Sequence, residues 1–267
     1  MVSQIESADN KNIKQAKKLY IKKNRDKSGQ YVIEGFNLVC EAIRRGIDID
    51  FILFEQGVDL PDSISKAIDD GVRAYAVASR VFENITDAEQ GVKIIAVASK
   101  PQYDTEQISE ILSDIAKENN ILVLDRLQDP GNVGTIIRTA EATGYSMIIG
   151  VKGTADIYSP KVLRATAGAI YAQPFVYVEN ADELRQILSK IDKTLVVTSV
   201  DDGIPYYDAD LSHSIALVIG NEGNGVSDEI FDIADTRVNI PMQGNIESLN
   251  AAISASILMY ETIRKNK

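Results

Sequence analysis

The stretch Ile121-Leu122-Val123-Leu124-Asp125-Arg126-Leu127-Gln128-Asp129-Pro130-Gly131-Asn132-Val133-Gly134-Thr135-Ile136-Ile137-Arg138-Thr139-Ala140 runs from an apolar strand, through a polar turn, into a helix. Four consecutive apolar residues leave the strand no solvent face, so residues 121–124 are expected to be covered on both sides, as in a parallel sheet. The helix opens with Asn132, Gly134 and Arg138. Arg138 follows Gly134 by four residues, so the two share one helical face. The missing side chain at 134 predicts open space beside the guanidinium, an arrangement suited to an anionic group near a strand end. Alone, the stretch has an ordinary explanation: a helix capped by Asn132 that carries a surface arginine.

Working outward, the same pattern recurs. Met147-Ile148-Ile149, Leu195-Val196-Val197 and Ile215-Ala216-Leu217-Val218-Ile219 are further continuous apolar strands separated by helix-length segments. This predicts an α/β fold with a parallel sheet. The last of these strands enters Gly220-Asn221-Glu222-Gly223-Asn224-Gly225, whose glycines let the backbone approach a ligand or take positive φ. Their order is neither the dinucleotide fingerprint nor a phosphate-binding P-loop. Glu222 opposes a nucleotide phosphate, so a neutral or cationic ligand suits the loop better. Ser227, Asp228 and Glu229 then start a short helix. A third motif, Asn239-Ile240-Pro241-Met242, is followed by Glu247-Ser248-Leu249-Asn250. Pro241 ends a strand there, and Ser248 or Asn250 caps a terminal helix running from Ser248 to Arg264. Leu249, Ile253, Ile257 and Tyr260 recur on that helix with Ala252 and Ala255 between them, which permits close packing on another helix, in this chain or in a partner subunit.

Upstream, strands are expected at Tyr31–Glu34, Phe51–Phe54, Tyr75–Val77 and Ile94–Val97. Helices are expected from Phe36 to Arg45 and from Pro61 to Gly71. Lys100-Pro101-Gln102 breaks the pattern. The expected domains are therefore 1–102, a small α/β unit, and 103–267, opened by a helix over 105–118.

The composition of the 267 residues, 45% hydrophobic and 25% charged, is that of an ordinary globular protein. No apolar run reaches membrane-spanning length, and Met1-Val2-Ser3-Gln4-Ile5-Glu6 shows no export signal. One cysteine, Cys40, leaves no internal disulfide, and one histidine, His213, argues against a zinc site and against histidine-based triads. A cytoplasmic protein with no metal and no membrane partner is expected. The net charge of −11 is unevenly spread: residues 1–27 carry eight Lys and Arg against three acids, a net +5, which leaves −16 on the remainder. Lys11, Lys14, Lys18 and Lys22 recur at helical spacing apart from the apolar stripe of Ile13, Ala16 and Tyr20. They predict a basic helix over 11–25, either a solvated face or a local phosphate-binding patch on an acidic body.

Taken together, Asn132 to Ala140 (Asn-x-Gly-x-x-x-Arg-x-Ala), Gly220 to Gly225 (Gly-x-Glu-x-x-Gly), and Ile240-Pro241-Met242 with Ser248-Leu249-Asn250 resemble the SpoU (TrmH) family of RNA ribose methyltransferases, in the SPOUT superfamily. The resemblance covers roughly residues 120–267, and the first domain is similar to the family's substrate-binding module. It implies transfer of a methyl group from S-adenosylmethionine to a ribose 2′-hydroxyl, a C-terminal trefoil knot around the cofactor, and a homodimer. It also implies residue roles. Arg138, Asn132, Asn250, Glu222 and Ser248 form the catalytic set, while Thr198, Gly220, Ile240 and Leu249 hold the cofactor. Lys14, Lys18, Lys22, Lys161 and Arg164 are expected to meet RNA phosphates. The extra domain favours large-subunit (23S) ribosomal RNA as substrate, with transfer RNA as the alternative. A non-catalytic RNA-binding protein and a doubly wound nucleotide-binding enzyme are the competing readings. The first leaves the five polar site residues without purpose, and the second fails on glycine order.

Overall fold

A computed structural model describes residues 2–86, 91–103, 105–115, 119–200, 202–212 and 214–265, so His213 lies outside the described residues. The chain divides into two compact units, 1–102 with 156–171, and 103–155 with 172–267.

The first unit holds β1 (Ser3–Ile5), α1 (Lys11–Lys18), α2 (Lys22–Ser28), β2 (Gln30–Glu34), α3 (Phe36–Arg44), β3 (Ile49–Glu55), α4 (Asp62–Asp69), β4 (Arg73–Val77), α5 (Ser79–Phe82) and β5 (Ile94–Ser99). Its sheet order is β1-β4-β3-β5-β2. β5 runs antiparallel to both β2 and β3, so this sheet is mixed. Ile13, Ala16 and Leu19 pack with Val32, Leu53 and Val97 on one face of it. Each fully buried Ile, Leu or Val side chain among them contributes about 1.5–3 kcal/mol.

The expected basic helix over 11–25 is two helices. Asn24 Nδ2 donates to the Lys18 carbonyl at 2.9 Å, and Arg25 Nη1 donates to the Leu19 carbonyl at 2.6 Å. These side chains take the carbonyls that a continuing helix would use, so α1 stops and Lys22 starts a new element.

In the second unit, α6 (Thr105–Asp114) precedes β6 (Ile121–Leu124), α7 (Pro130–Ala142) and β7 (Met147–Val151). The chain then contributes α8 (Pro160–Thr166) to the first unit and returns. β8 (Phe175–Val178), α9 (Ala181–Ile191), β9 (Thr194–Thr198), β10 (Ile204–Pro205), β11 (Ile215–Ile219), α10 (Asp228–Phe231), β12 (Thr236–Asn239) and α11 (Ala251–Lys265) complete it. The seven strands lie in the order β10-β12-β9-β11-β6-β7-β8, every neighbouring pair parallel. Ile121 and Val123 join Leu112, Leu184 and Ile187 in one core. Leu122 and Leu124, which alternate to the opposite face, are equally buried, as are Val133, Ile136 and Ile137 of α7. The continuous apolar run thus reflects a strand covered on both faces.

The division at residue 102 does not foresee the excursion of 156–171. That segment is fixed within the first unit by Asp156, which accepts from Arg25 Nε at 2.9 Å and Nη2 at 2.7 Å. Arg164 of α8 makes an ion pair with the buried carboxylate of Glu34. Glu34 also accepts from the Tyr20 and Thr86 hydroxyls, each at 2.6 Å.

Candidate active site

The three sequence motifs meet at the carboxyl ends of β6 and β11. Asp129, not Asn132, caps α7: its Oδ1 accepts from the Asn132 backbone N–H at 2.8 Å, with Pro130 at the first helical position. A proline at that position makes the residue before it the natural cap. The Asn132 side chain is thereby freed for another use. Its Nδ2 donates to Glu222 Oε1 at 3.1 Å, and its Oδ1 accepts from Asn250 Nδ2 at 2.9 Å. Asn250 Oδ1 in turn accepts from the backbone N–H groups of Ala252 and Ile253, so Asn250, and not Ser248, caps α11. One amide thus ties together the start of α7, the glycine loop and the start of α11.

Glu222 also accepts from the backbone N–H groups of Gln128 (3.2 Å) and Asp129 (3.0 Å). Burial raises this carboxyl, but the hydrogen bonds from Asn132 and from the backbone at 222, 128 and 129 outweigh it and hold the group below the ordinary carboxylate range. It is therefore an anion at neutral pH.

The glycine loop closes on itself. Asn221 and Gly225 exchange both backbone hydrogen bonds at 2.9 Å. A Cβ on Gly220 would lie 2.2 Å from the Gly225 carbonyl carbon, so this glycine serves the loop's self-approach rather than a ligand's. Of the loop's glycines only Gly225 takes positive φ, +69°. Asn221, to which the sequence reading gave no role, anchors the loop. Its Oδ1 accepts from the Gly223 and Asn224 N–H groups, and its Nδ2 donates to the Arg126 carbonyl at 2.8 Å. Asp125 was also overlooked. It is fully buried, and its Oδ2 accepts from the Ser227 N–H at 2.6 Å. A carboxylate placed directly after four apolar strand residues is the signal that marks it.

Beside this network lies a cavity of about 1000 Å³, whose walls include Thr198, Gly220, Ile240 and Leu249, all four expected there, together with Glu222 and Ser248. Its walls include Glu222 and Glu247 and, among the described residues, no lysine or arginine. Asn239, also in the wall, carries a buried Oδ1 with no hydrogen-bond partner among the described residues.

Arg138 is not part of the amide network. Six residues beyond Asn132, it lies about 9 Å further along α7 and about 120° around it. It is exposed and has no hydrogen-bond or ion-pair partner among the described residues. Gly134 is buried, so it marks a packed position and not the open space expected beside the guanidinium. The next residue, Thr139, reaches Ser256 of α11, hydroxyl to hydroxyl, at 3.4 Å.

In the first unit, Lys14 Nζ lies 2.7 Å from Asp9 and Lys22 Nζ 3.1 Å from Asp26, while Lys18 is exposed and unpaired among the described residues. Lys161 is exposed on α8 and Arg164 is engaged with Glu34. Among the described residues no cluster of His, Cys, Asp and Glu is arranged to hold a metal, and no helix is long and apolar enough to cross a membrane.

Residues 119–260 match the SpoU rRNA Methylase family, and residues 10–96 match the MRM3-like substrate binding domain. A Bacillus subtilis protein, the 23S rRNA (guanosine(2553)-2′-O)-methyltransferase RlmP, is 34% identical over 97% of this chain and 98% of its own length. The AdoMet-bound rRNA methyltransferase from Sinorhizobium meliloti is 31% identical, with a TM-score of 0.85 over 98% of each chain. The SpoU methyltransferase AviRb from Streptomyces viridochromogenes, also solved with AdoMet, is 26% identical, with a TM-score of 0.85 over 96% of this chain and 98% of its own.

Proposed function

This chain belongs to the SpoU rRNA methylase family, and from that membership we propose that it transfers a methyl group from S-adenosylmethionine to a ribose 2′-hydroxyl of large-subunit ribosomal RNA. The observation that carries the reading is the amide network of Glu222, Asn132 and Asn250 at the edge of a cavity with no lysine or arginine among its described wall residues. The residues present fit the cofactor. Two carboxylates suit a sulfonium and oppose a polyphosphate, which disfavours the nucleotide-enzyme alternative. The unpartnered Asn239 Oδ1 offers an acceptor to an adenosine or amino group. Thr198, Gly220, Ile240 and Leu249 would surround it.

When bound, the cofactor supplies an electrophilic methyl group. The chain's own task is to place the hydroxyl and ease the loss of its proton. Asn132 is locked in one amide orientation, because Glu222 only accepts from it and Asn250 donates to it. That leaves one N–H and one lone pair of the Asn132 amide for the ribose. The Arg138 guanidinium offers only donors and no acceptor, and so does not serve as the base. Its unpaired guanidinium instead clamps the adjacent phosphate and favours the alkoxide as the hydroxyl proton passes to solvent water. Ser248, without a hydrogen-bond partner among the described residues, lines the cavity.

The finer parts of the reading have their own support. A homodimer would cover Ile253 and Tyr260, which stand 53% and 55% exposed on α11. The trefoil knot belongs to the reading that the family membership carries. The ribosomal target rests on the RlmP relative, and cytoplasmic action follows from that target. Exposed Lys18 and Lys161 are the strongest of the expected phosphate contacts, since Lys14, Lys22 and Arg164 already face acids.

The test is a map of 2′-O-methyl sites on total RNA from cells with the protein, without it, and with Arg138→Ala. One large-subunit site lost in both the deletion and the variant supports the proposal. A lost site in transfer RNA moves the substrate and keeps the chemistry. No lost site together with no S-adenosylmethionine binding returns the chain to a non-catalytic RNA binder.

A further inference from the structure

Arg126 has no role in the amide network or in the cavity wall, yet its conformation is unusual. Its φ is +57°, a left-handed backbone that a glycine adopts freely and that strains a bulky residue. Such outliers persist where the surrounding structure holds them, and here it does. The Arg126 N–H donates to Thr154 Oγ1 at 3.1 Å, and its carbonyl accepts from Asn221 Nδ2 at 2.8 Å. The side-chain stem lies against Gly153, where an added Cβ would sit 3.2 Å from Arg126 Cγ. Thr154 and Gly153 follow β7, the neighbour of β6, so the stem crosses the carboxyl ends of two parallel strands, the side where ligands of such sheets bind.

Neutralising Asp125 does not account for this arginine. Nε is 3.2 Å from Asp125 Oδ1, close enough to attract, but the two are misaligned and neither atom makes a hydrogen bond. The rest of the guanidinium reaches solvent, the side chain being 43% exposed, and its terminal nitrogens have no partner among the described residues. The result is a cation fixed at its base and free at its tip. It is attached through Asn221 to the loop that carries Glu222.

We propose that Arg126 is a substrate-binding residue whose guanidinium takes a phosphate of the RNA flanking the methylated nucleotide, a second phosphate contact besides that of Arg138. This rests on the methyltransferase reading above. The planar fork, held by its stem, suits two oxygens of one phosphate.

The test compares wild type with Arg126→Gly, which relieves the backbone, and Arg126→Gln, which keeps the stem against Gly153 and removes the charge. The probe is unmodified large-subunit ribosomal RNA transcribed in vitro. Both variants should keep wild-type affinity for S-adenosylmethionine, weaken RNA binding about ten- to hundredfold, and lower the slope of log K against log salt by about 1. Wild-type slope and RNA affinity in Arg126→Gln overturn the inference, and if Arg126→Gly folds poorly the Gln variant alone decides. Loss of cofactor and RNA affinity together in Arg126→Gln also overturns it, because Arg126 is then structural. If wild type binds neither this RNA nor S-adenosylmethionine, the methyltransferase reading fails first and takes the inference with it.

Discussion

Asp156→Ala removes the one acidic side chain facing Arg25 among the described residues, and the structure sets the scale of the loss. The two side chains are 4% and 9% exposed, and both guanidinium contacts, at 2.9 and 2.7 Å, fall on the same carboxylate oxygen. Arginine does not deprotonate in a protein. The variant therefore buries a cation that keeps only the Leu19 carbonyl, 2.6 Å from Nη1. Stranding one member of a buried pair costs about 3–5 kcal/mol, a large share of a typical stability of about 5–15 kcal/mol. The chain has no tryptophan but eleven tyrosines, so urea titrations would be followed by circular dichroism and tyrosine emission, read in the transition of the first unit. The double variant Arg25→Met with Asp156→Leu removes both charges and fills the space with apolar atoms. It should recover most of the loss, because replacing both partners is often neutral. A loss below about 1 kcal/mol in Asp156→Ala, on the scale of exposed pairs, would refute the reasoning. So would a double variant no more stable than the single one.

Three further outcomes follow from the second unit. Asn132→Ala should lower the single-turnover methylation rate about a hundredfold while leaving S-adenosylmethionine affinity, measured by calorimetry, within about twofold, since Asn132 is not in the cavity wall. Gly220→Ala should abolish that calorimetric signal, because the new methyl would lie 2.2 Å from Gly225 and 2.3 Å from Val226 backbone atoms and force the loop open. The Glu222 carboxyl is held below its ordinary 4.5 in the folded protein, so its contribution to stability is full above that pH and is lost as pH falls through the lower folded value. Urea midpoints taken on acidification below 4.5 should fall less steeply in Glu222→Gln than in wild type.

The strands that announced themselves were those buried on both faces. Residues 121–124 and 215–219 have the bounds that their apolar runs predict, because no residue in them meets solvent. β12 was legible only by its end, near Pro241: among Thr236, Arg237, Val238 and Asn239 only Val238 is buried, and neighbouring strands supply the pairing that makes a strand of it. Likewise the spacing of lysines over 11–22 is helical, yet side chains of Asn24 and Arg25 end the first helix. The partner that buries Arg25 lies 131 residues away. At the site, the residues that meet were readable as motifs, but the geometry joining them was not. Asn132 looked like a cap because it opens a helix. Only Glu222 and Asn250, 90 and 118 residues downstream, show what its amide holds.

The return of residues 156–171 to the first unit bears on how proteins of this build can be recombined. A reading domain encoded in one stretch can be exchanged through a single seam. Here a donor domain joined at residue 102 would arrive with an Arg25 and a Glu34 whose companions, Asp156 and Arg164, stayed with the recipient's sequence. A working chimera needs both stretches from one parent, and drift at position 25 or 34 is tolerated only in step with 156 or 164. The two stretches of the first unit are thereby exchanged together or not at all.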